Sequence, residues 1–294
     1  MAKFPQPYMV VGAKGMLGTD LVRLLAKSAT DVLPVDLEDL DITQADAVSE
    51  YLARCRPGLV INAAALTDVD GCETMQEAAF RVNAQAAANL ADACKSVSAV
   101  LMHISTDYVF DGRKRQPYEE NEALSPLGVY GRSKAEGETR VKTILPDSHC
   151  IVRTEWLYGT NGKNFVEAIL RQAETKEHLT VVNDQTGSPT YTVDLAAALV
   201  KLADAGGLGI FHVTNSGETT WHGFACKILE MAGISGISVG PMKSKDLDRP
   251  APRPDYSVLS NARFTELTGE CLRNWDQALG DYLVERASKG VVPK

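Results

Sequence analysis

Residues 8–18, YMVVGAKGMLG, link a short apolar strand to the first turn of a helix through Gly12, Gly15 and Gly18. Glycines here leave backbone N–H groups and the helix N-terminus open to a pyrophosphate, because no Cβ intervenes. The spacing G-x-x-G-x-x-G also fits a simple strand-to-helix turn. Its position in a strand–helix–strand unit near the N-terminus favours a dinucleotide site.

The segments around this turn alternate between apolar β-type runs and longer amphipathic runs. We predict strands over residues 8–12, 32–35, 59–62 and 100–105, and helices over 16–29, 43–56 and about 76–96. This alternation is typical of an α/β fold, a Rossmann-type doubly wound parallel sheet with helices on both faces. Right-handed crossovers bring the carboxyl ends of such strands to one edge, so Gly12, Asn62 and Ser105 are expected to face one crevice.

The order of elements is less regular beyond about residue 150. Strands are predicted over residues 150–154, 179–182 and 210–213, a helix near 193–204, and a loop over the proline-rich residues 249–254. We therefore expect an NAD(P)-binding Rossmann domain over residues 1–150. Residues 151–294 are expected to form mainly a smaller C-terminal substrate-binding lobe, with some segments returning to the sheet.

Composition and charge exclude several classes of protein. With 45% hydrophobic and 23% charged residues, the 294-residue chain is typical of a globular protein. The net charge of −8 and the scattered basic residues argue against a nucleic-acid partner. No window approaches the roughly 18 apolar residues that span a bilayer, and residues 1–8 lack the pattern of a signal peptide. The six dispersed cysteines form no C-x-x-C pair and indicate reduced thiols, so we expect a cytoplasmic protein with no membrane partner.

Acidic residues follow the second predicted strand. Asp36 lies about twenty residues past the glycine turn, where a carboxylate accepts hydrogen bonds from the adenosine ribose and favours NAD. Glu38, Asp39 and Asp41 crowd the same loop, so which of them faces the ribose is left open. Residues 62–65, NAAA, are small enough to let the backbone approach the cofactor, although ordinary tight packing explains them as well.

Residues 130–134, YGRSK, place a phenol and an ammonium one helical turn apart on the same face. An unperturbed tyrosine has a pKa of roughly 10, so a nearby cation makes it a usable proton donor or acceptor near neutral pH. Residues 105–107, STD, end the preceding strand, where a hydroxyl could share a substrate oxygen with Tyr130. His103, in the same strand, is interpreted as a core histidine rather than a metal ligand.

Together these residues resemble the extended short-chain dehydrogenase/reductase superfamily. Within it, the phrases INAAALTDVD (61–70), STDYVFDG (105–112), VYGRSK (129–134) and NDQTGSPT (183–190) are similar to the dTDP-4-dehydrorhamnose reductase family. The similarity covers nearly the whole chain. The phrase at 183–190 and the late Arg253-Pro254 are its more specific parts.

The resemblance implies that NADH or NADPH reduces the 4-keto group of dTDP-4-dehydro-L-rhamnose to give dTDP-L-rhamnose. It implies three catalytic residues: Tyr130 protonates the developing alkoxide, Lys134 holds the nicotinamide ribose and lowers the phenol pKa, and Thr106 orients the carbonyl oxygen. The implied cofactor-binding residues are Gly12, Gly15, Met16, Leu17, Gly18, Asp36, Asp41, Ile42, Ala63, Ala64, Ala65, Thr67, Tyr130 and Lys134.

The implied substrate-binding residues are Val69, Asp70, Thr106, Asp107, Tyr108, Tyr130, Trp156 and Arg253. Trp156 could also be a core aromatic. Arg253 lies between Pro252 and Pro254, and a stiff loop there would present its planar fork to the substrate phosphates. The alternative is a solvated surface arginine.

Other functions fit the superfamily motifs. A nucleotide-sugar epimerase or a reductase of another deoxysugar shares them, and similar chains serve as the cofactor-binding regulatory subunit of methionine adenosyltransferase. The set Thr106, Tyr130 and Lys134 favours catalysis. Some family members dimerise through a metal held by acidic side chains, so the resemblance allows a homodimer. Asp20 aligns with one such position, but an exposed helix-surface aspartate is the simpler interpretation, and no metal site is predicted.

Overall fold

The structure is a computed structural model, and it describes residues 4–28 and 30–290. Parts of three predictions lie outside the described residues: residues 1–3 of the N-terminal segment, Ala29 at the end of the first helix, and residues 291–294 of the expected lobe. None of the described helices has the length and apolar character needed to cross a bilayer.

The described strands are, in chain order, β1 (Tyr8–Val11), β2 (Val32–Val35), β3 (Leu59–Asn62), β4 (Val100–Thr106), β5 (His149–Thr154), β6 (Leu157–Tyr158), β7 (His178–Val182), β8 (Thr186–Gly187), β9 (Thr190–Tyr191), β10 (Gly209–His212), β11 (Thr219–Thr220) and β12 (Ser238–Met242).

The described α-helices are α1 (Met16–Lys27), α2 (Ala45–Cys55), α3 (Val69–Thr74), α4 (Gln76–Phe80), α5 (Ala86–Val97), α6 (Val129–Ile144), α7 (Phe165–Ala173), α8 (Thr192–Ala205), α9 (Trp221–Met231), α10 (Ala262–Thr268) and α11 (Trp275–Ser288). A π-helical segment (Arg81–Gln85) and two 3-10 turns (Asp107–Val109 and Ser244–Asp246) complete the described helical structure.

Six strands form one parallel sheet in the order β10-β5-β4-β3-β1-β2. All residues of β1 and β3 are buried, which explains the apolar runs of β1 and of residues 59–61 in β3. Strand β1 lies between β2 and β3, so the direction in which strands are added reverses there. In an open parallel sheet such a reversal leaves a crevice at the carboxyl ends of the strands. The Rossmann-type fold class is confirmed, and Gly12 and Asn62 flank this crevice.

Helices cover both faces of the sheet. On one face, α1 buries Leu17, Leu21 and Leu25, which recur every fourth residue, and packs with α8. On the other face, α2, α5 and α6 bury residues such as Leu52, Leu90 and Val141. The two apolar layers hold the strand ends, and therefore the crevice, in fixed positions.

A third apolar core lies outside the large sheet. Strands β7 and β12 pair in parallel, and α7, α9 and α11 pack beside them around Tyr158, Phe224 and Tyr282. Strand β10 pairs with β5, so residues 209–212 join the large sheet. The division of the chain at residue 150 stays a prediction.

Two predicted helices differ in detail. The helix predicted over residues 43–56 begins at Ala45, because the Asp41 carboxylate binds both the N–H and the hydroxyl of Thr43, at 2.9 and 2.8 Å. The run 76–96 comprises α4, the π-helical segment and α5. The π-helical turn places Asn83 inside the protein, where it bonds to Leu66 and Ser133.

Candidate active site

The glycine turn after β1 packs against the end of β3. Gly12 has a φ of +79°, and a Cβ on it would lie 2.8 Å from the backbone nitrogen of Ala64. A Cβ on Gly18 would lie 2.0 Å from the carbonyl oxygen of Gly12. Neither position has space for a side chain, so the tightness of the turn depends on glycine.

Helix α1 begins directly after this turn, with Gly15 as its N-cap and no side-chain cap. The first N–H groups of a helix lack partners within the helix and form the positive end of its dipole. With no capping side chain in front of them, the N–H groups of Met16 and Leu17 can bind a phosphate. The residues of the turn therefore fit the pyrophosphate of a dinucleotide.

Asp36, which follows β2, is tied to the glycine turn. Its carboxylate accepts the backbone N–H of Lys14 at 2.7 Å. The Lys14 ammonium donates to Glu38 at 2.8 Å, and both side chains are about two-thirds exposed, at 66% and 68%. Asp41 is bonded to Thr43 instead, and these bonds lower the pKa of Asp41. Of the two predicted acids, Asp36 lies beside the turn and Asp41 binds its own loop.

The end of β3 supplies small side chains on the other side of the crevice. The Asn62 side-chain oxygen accepts the N–H of Ala64 at 3.1 Å, and residues 63–65 are half-buried. Two other predicted cofactor contacts are placed differently. Ile42 is buried in the core under the sheet, and Thr67 is exposed beyond the end of β3.

A buried ion pair fixes α6, the helix of Tyr130 and Lys134, to the sheet. Glu138 accepts the Ser105 hydroxyl at 2.6 Å and two bonds from Arg153, at 2.9 and 2.7 Å. Several hydrogen bonds to one buried pair are what compensates for its loss of hydration. The Ser105 hydroxyl thus holds α6 in place. The neighbouring hydroxyl, that of Thr106, is the one that faces Tyr130.

Lys134 lies against the carboxyl-terminal part of β4. Its ammonium donates to the carbonyl oxygen of Ile104 at 2.7 Å and lies 3.4 Å from Nε2 of His103. Burial lowers the pKa of Lys134 to about 8, while Glu138 acts in the opposite direction. Burial and the Lys134 charge also lower the pKa of His103, which is hydrogen-bonded to Asn62. His103 is therefore a neutral core histidine at neutral pH.

The Tyr130 ring packs edge-on against Tyr108, with the centroids 5.5 Å apart. Burial raises the pKa of Tyr130, and its hydrogen bond with Thr106 acts in the opposite direction. The Lys134 ammonium donates to the carbonyl oxygen of Ile104, and the lowering of the Tyr130 pKa by Lys134 stays a prediction. A raised pKa keeps the phenol protonated at neutral pH, as a proton donor requires.

Thr106 lies between Tyr130 and Asp107. Its hydroxyl donates to Oδ1 of Asp107 at 2.8 Å and accepts the backbone N–H of Tyr108 at 3.2 Å. Both Thr106 and Asp107 are buried. The end of β4 thus supplies a chain of hydrogen bonds that leads from the phenol into the protein.

A cavity of about 450 Å³ adjoins this group, with Tyr108, Trp221, Arg249 and Arg253 among its lining residues. Arg253 forms a two-fold ion pair with Asp70, at 3.0 and 2.7 Å. Arg249 forms no ion pair with any residue that the structure describes, and burial together with Arg253 lowers its pKa. The cavity therefore contains one cation held by a carboxylate and one cation that is not.

Trp156 supports the wall of this cavity. Its ring stacks on Trp221 with the centroids 3.5 Å apart and the planes at 9°. The φ of Trp156 is +48°, a conformation that bulky residues rarely adopt and that is often found at ligand sites. Val69, another predicted substrate contact, begins α3 and is half-buried beside Asp70.

Four residues of this region were not predicted from the sequence. Glu138 and Arg153 anchor α6, and Trp221 and Arg249 line the cavity. Glu138 is detectable as the charged residue one turn beyond Lys134, and Arg249 as the second arginine of the proline-rich loop. No local signal marks Arg153 or Trp221, since their roles depend on contacts with distant segments.

The interpretation of Asp20 as an exposed residue is wrong. Asp20 is 2% exposed and accepts hydrogen bonds from Thr192 at 2.6 Å, Arg23 at 3.0 Å and Asn161 at 3.2 Å. Helix α8 packs on α1 at this point and covers it. Within residues 4–28 and 30–290, no group of three His, Cys, Asp or Glu side chains is arranged to hold a metal ion.

Known proteins resemble this chain over almost its whole length. A family model described as RmlD substrate binding domain matches residues 7–288. A dTDP-4-dehydrorhamnose reductase of Streptomyces griseus is 42% identical over 285 residues, which is 95% of this chain and 94% of that protein. A dTDP-4-keto-6-deoxy-D-glucose reductase of Streptomyces niveus is 42% identical over 272 residues, or 92% and 94% of the two chains.

A solved structure shows the same similarity. The crystal structure of a dTDP-4-dehydrorhamnose reductase from Bacillus anthracis, in complex with NADP, is 37% identical and has a TM-score of 0.91. The match covers 95% of this chain and 98% of that chain.

Proposed function

This chain belongs to the dTDP-4-dehydrorhamnose reductase family, and we propose that it uses NADH or NADPH to reduce the 4-keto group of dTDP-4-dehydro-L-rhamnose to dTDP-L-rhamnose. The observation that carries the proposal is the grouping of Thr106, Tyr130 and Lys134 at the carboxyl end of β4, between the glycine turn and the cavity lined by two arginines.

In this proposal the reduced nicotinamide, when bound, supplies the hydride for the carbonyl carbon. Tyr130 supplies the proton: its Oη–H bond breaks as a new O–H bond forms on the substrate oxygen. Burial raises the pKa of Tyr130, so the phenol stays protonated until the negative charge develops. Because little water reaches this site, hydrogen bonds to the negative charge on the substrate oxygen are stronger there than in water.

Lys134 places an ammonium group on the cofactor side of the site. The pKa of Lys134, about 8, leaves it mainly protonated at neutral pH. We expect its remaining N–H groups to bind the nicotinamide ribose and to favour the phenolate left after proton transfer. The bond to Ile104 fixes the ammonium in place for both roles.

The two arginines of the cavity supply the charge that a dTDP group requires. The substrate carries negative phosphates toward a protein of net charge −8, so a local cation must bind them. Arg249 is unpaired among the described residues and can reach a phosphate without breaking an ion pair. Arg253, bound to Asp70, can share its charge while it positions the loop over residues 249–254.

A second candidate substrate is dTDP-4-keto-6-deoxy-D-glucose itself. The Streptomyces niveus relative named for that substrate is as similar, at 42% identity, as the relative named for dehydrorhamnose. The two substrates differ in ring stereochemistry, and we expect the cavity wall at Trp221, on which Trp156 stacks, to distinguish them.

The test is oxidation of NADH and NADPH with an enzymatically prepared dTDP-4-keto-6-deoxyglucose, with and without a 3,5-epimerase. Turnover only with the epimerase supports the dehydrorhamnose substrate. Turnover without it supports the second candidate. No turnover with either sugar would overturn the proposed reaction.

We also propose a cytoplasmic location, in keeping with six unpaired cysteines, which a reducing compartment maintains. The implied homodimer is likewise a proposal. Sedimentation of the purified protein would test it, and a monomer at assay concentration would exclude it.

A further inference from the structure

Three buried polar atoms without hydrogen-bond partners lie at the carboxyl ends of the paired strands β4 and β5. Among the described residues, they are Oδ2 of Asp107, Oγ1 of Thr154 and Oε1 of Glu155. Thr154 is paired in register with Thr106, so this strand end lies beside the residue whose hydroxyl faces Tyr130. An unpartnered buried carboxyl oxygen is costly, and two of them at the ends of neighbouring strands call for a chemical explanation.

The two carboxyls face a common hydroxyl. Ser257 donates to Oε2 of Glu155 at 3.0 Å and also stabilises the Asp107 carboxylate. Asp107 and Glu155 are 1% and 2% exposed. Two buried carboxyls at one hydroxyl cannot both be ionised without strong repulsion, and a single proton held between them relieves it.

We propose that Asp107 and Glu155 share one proton and that this pair restores the proton of Tyr130 through the hydroxyl of Thr106. Glu155 acts through Asp107 and Thr106, and is therefore a positioning residue. The inference rests on the proposed reductase function, because it concerns the proton that this reaction consumes.

The proton path uses the hydrogen bond between Thr106 and Asp107 in the reverse of its resting direction, in which the Thr106 hydroxyl donates to Asp107. After Tyr130 gives its proton to the substrate oxygen, the Thr106 Oγ–H bond breaks and its proton forms a new bond with the phenolate. With its own hydrogen transferred to the phenolate, Thr106 Oγ accepts the proton of the Asp107 carboxyl, whose Oδ1 lies 2.8 Å away. The carboxyl pair gains a new proton from water after the product leaves. No atom is oxidised or reduced in these steps.

The pKa values of Asp107 and Glu155 support a proton shared between the two carboxyls. Burial raises the pKa of Asp107 to about 6, and burial together with the charge of Asp107 raises the pKa of Glu155. The hydroxyl of Ser257 and the backbone N–H groups of Ser188 and Leu259 act in the opposite direction on Glu155. The described titratable side chains facing the two carboxyls are those of Tyr108, Tyr130 and Tyr256, with Arg249 and Arg253 acting on Tyr108.

The sign of the pH dependence follows from the raised pKa values. A carboxyl pKa that is higher in the folded protein than in the unfolded chain means that the folded protein holds the proton to higher pH. The stability due to that proton is therefore lost as the pH rises through the pKa of the folded protein. Turnover should fall in the same direction, since the deprotonated pair has no proton to give. We expect the loss of stability and the loss of turnover to occur as the pH rises from slightly acidic to alkaline values.

The test compares the wild type with Glu155→Gln, whose amide can donate to Asp107 but cannot titrate. We expect the melting temperature of the variant to depend less on pH between about pH 5 and pH 9. We expect steady-state turnover to fall about tenfold or more, and the decline of kcat with pH to disappear. The first turnover after rapid mixing should keep its wild-type rate, because Tyr130 already holds its proton.

Glu120→Gln is the matched control. Burial also raises the pKa of Glu120, but this side chain bonds to the backbone of His212, away from Thr106. The Glu120→Gln variant should alter the pH dependence of stability and leave the pH profile of kcat unchanged. If Glu155→Gln is too unstable to purify, Ser257→Ala replaces it: loss of that hydroxyl should raise the pKa of the pair and move the decline of kcat to higher pH.

Three results would overturn the inference. Equal pH dependence of the melting temperature in wild type and Glu155→Gln would show that no proton is held there. An unchanged pH profile of kcat would show that the proton is not used. An equal loss in first and later turnovers would indicate a structural defect instead. If wild-type enzyme reduces neither sugar, the proposed function fails, and the melting temperatures still decide whether the carboxyls share a proton.

Discussion

The cofactor side and the substrate side of the cleft are built from different parts of the chain. On the cofactor side, backbone N–H groups of one turn and a half-buried Asp36 lie within a single strand–helix–strand unit. On the substrate side, Asp70 meets Arg253 from 183 residues away, and Glu155 meets Ser257 from 102 residues away. The first surface is made by local conformation, and the second by contacts between distant segments.

This difference determines how each side responds to substitution. Backbone donors are lost only when the turn is distorted, so steric changes should matter most on the cofactor side. Buried charges are lost by removal of one partner, so charge changes should matter most on the substrate side. Tyr130 lies where the two sides meet, and its hydroxyl should affect chemistry without altering either binding surface.

The largest effect is expected for Tyr130→Phe. Loss of the positioned proton donor should lower kcat by about 10² to 10⁴, while the dissociation constant of NADPH stays near the wild-type value. The remaining ring keeps its contact with Tyr108. Stopped-flow and equilibrium fluorescence would measure the two quantities. Near-wild-type turnover would remove Tyr130 from the proton transfer.

The same local and distant contacts explain what sequence analysis can predict. The first four strands, the glycine turn and the Tyr130–Lys134 spacing follow from residues close in sequence, and the structure has these strands and this turn where expected. The bond of Asp36 to the backbone of Lys14 is also local. Their prediction required no knowledge of the tertiary structure.

The remainder of the site could not be predicted in this way. Lys134 is turned toward Ile104, and Ser105 is used by Glu138, because of how α6 packs on β4. Asp20 is buried because α8 covers it. In each case the nearest residues in sequence give no sign of the partner, so local patterns assign exposure or function incorrectly.

The next effect tests the steric dependence of the cofactor side. A Cβ on Gly18 would lie 2.0 Å from the backbone oxygen of Gly12. Overpacking of this kind costs about 1 to 3 kcal/mol, so Gly18→Ala should weaken NADPH binding roughly tenfold to a hundredfold. Isothermal titration calorimetry would measure it.

Gly280→Ala is the matched control for this change. Both glycines lie in helices, where alanine is the better helix former, but a Cβ on Gly280 would meet only the flexible end of Met231. The control should leave NADPH affinity unchanged. Equal affinity in the Gly18→Ala protein would show that the glycine turn does not shape the cofactor site.

The charge dependence of the substrate side is tested by the two arginines. Arg249→Ala should raise KM for the sugar nucleotide about tenfold, equivalent to about 1.4 kcal/mol, without change in melting temperature. Arg253→Ala should raise KM by a similar factor and also lower the melting temperature, because Asp70 loses its partner. Steady-state kinetics and calorimetry would separate the two roles. An unchanged KM in both variants would leave the substrate phosphates without these cations.

The smallest effect is expected at Asp36, since the hydrogen bond that its carboxylate accepts from Lys14 is exposed and is screened by solvent. A carboxylate there pairs with the ribose hydroxyls of NADH and repels the 2′-phosphate of NADPH, so Asp36→Ala should raise KM for NADH several-fold more than KM for NADPH. Lys14 offers the comparison: it is bonded to Glu38, and Glu38→Gln frees its ammonium for the 2′-phosphate. That variant should therefore lower KM for NADPH and leave KM for NADH unchanged. Equal losses of both cofactors in Asp36→Ala would show that the carboxylate acts only by holding the backbone of Lys14, in which case the cofactor side would depend on local conformation alone.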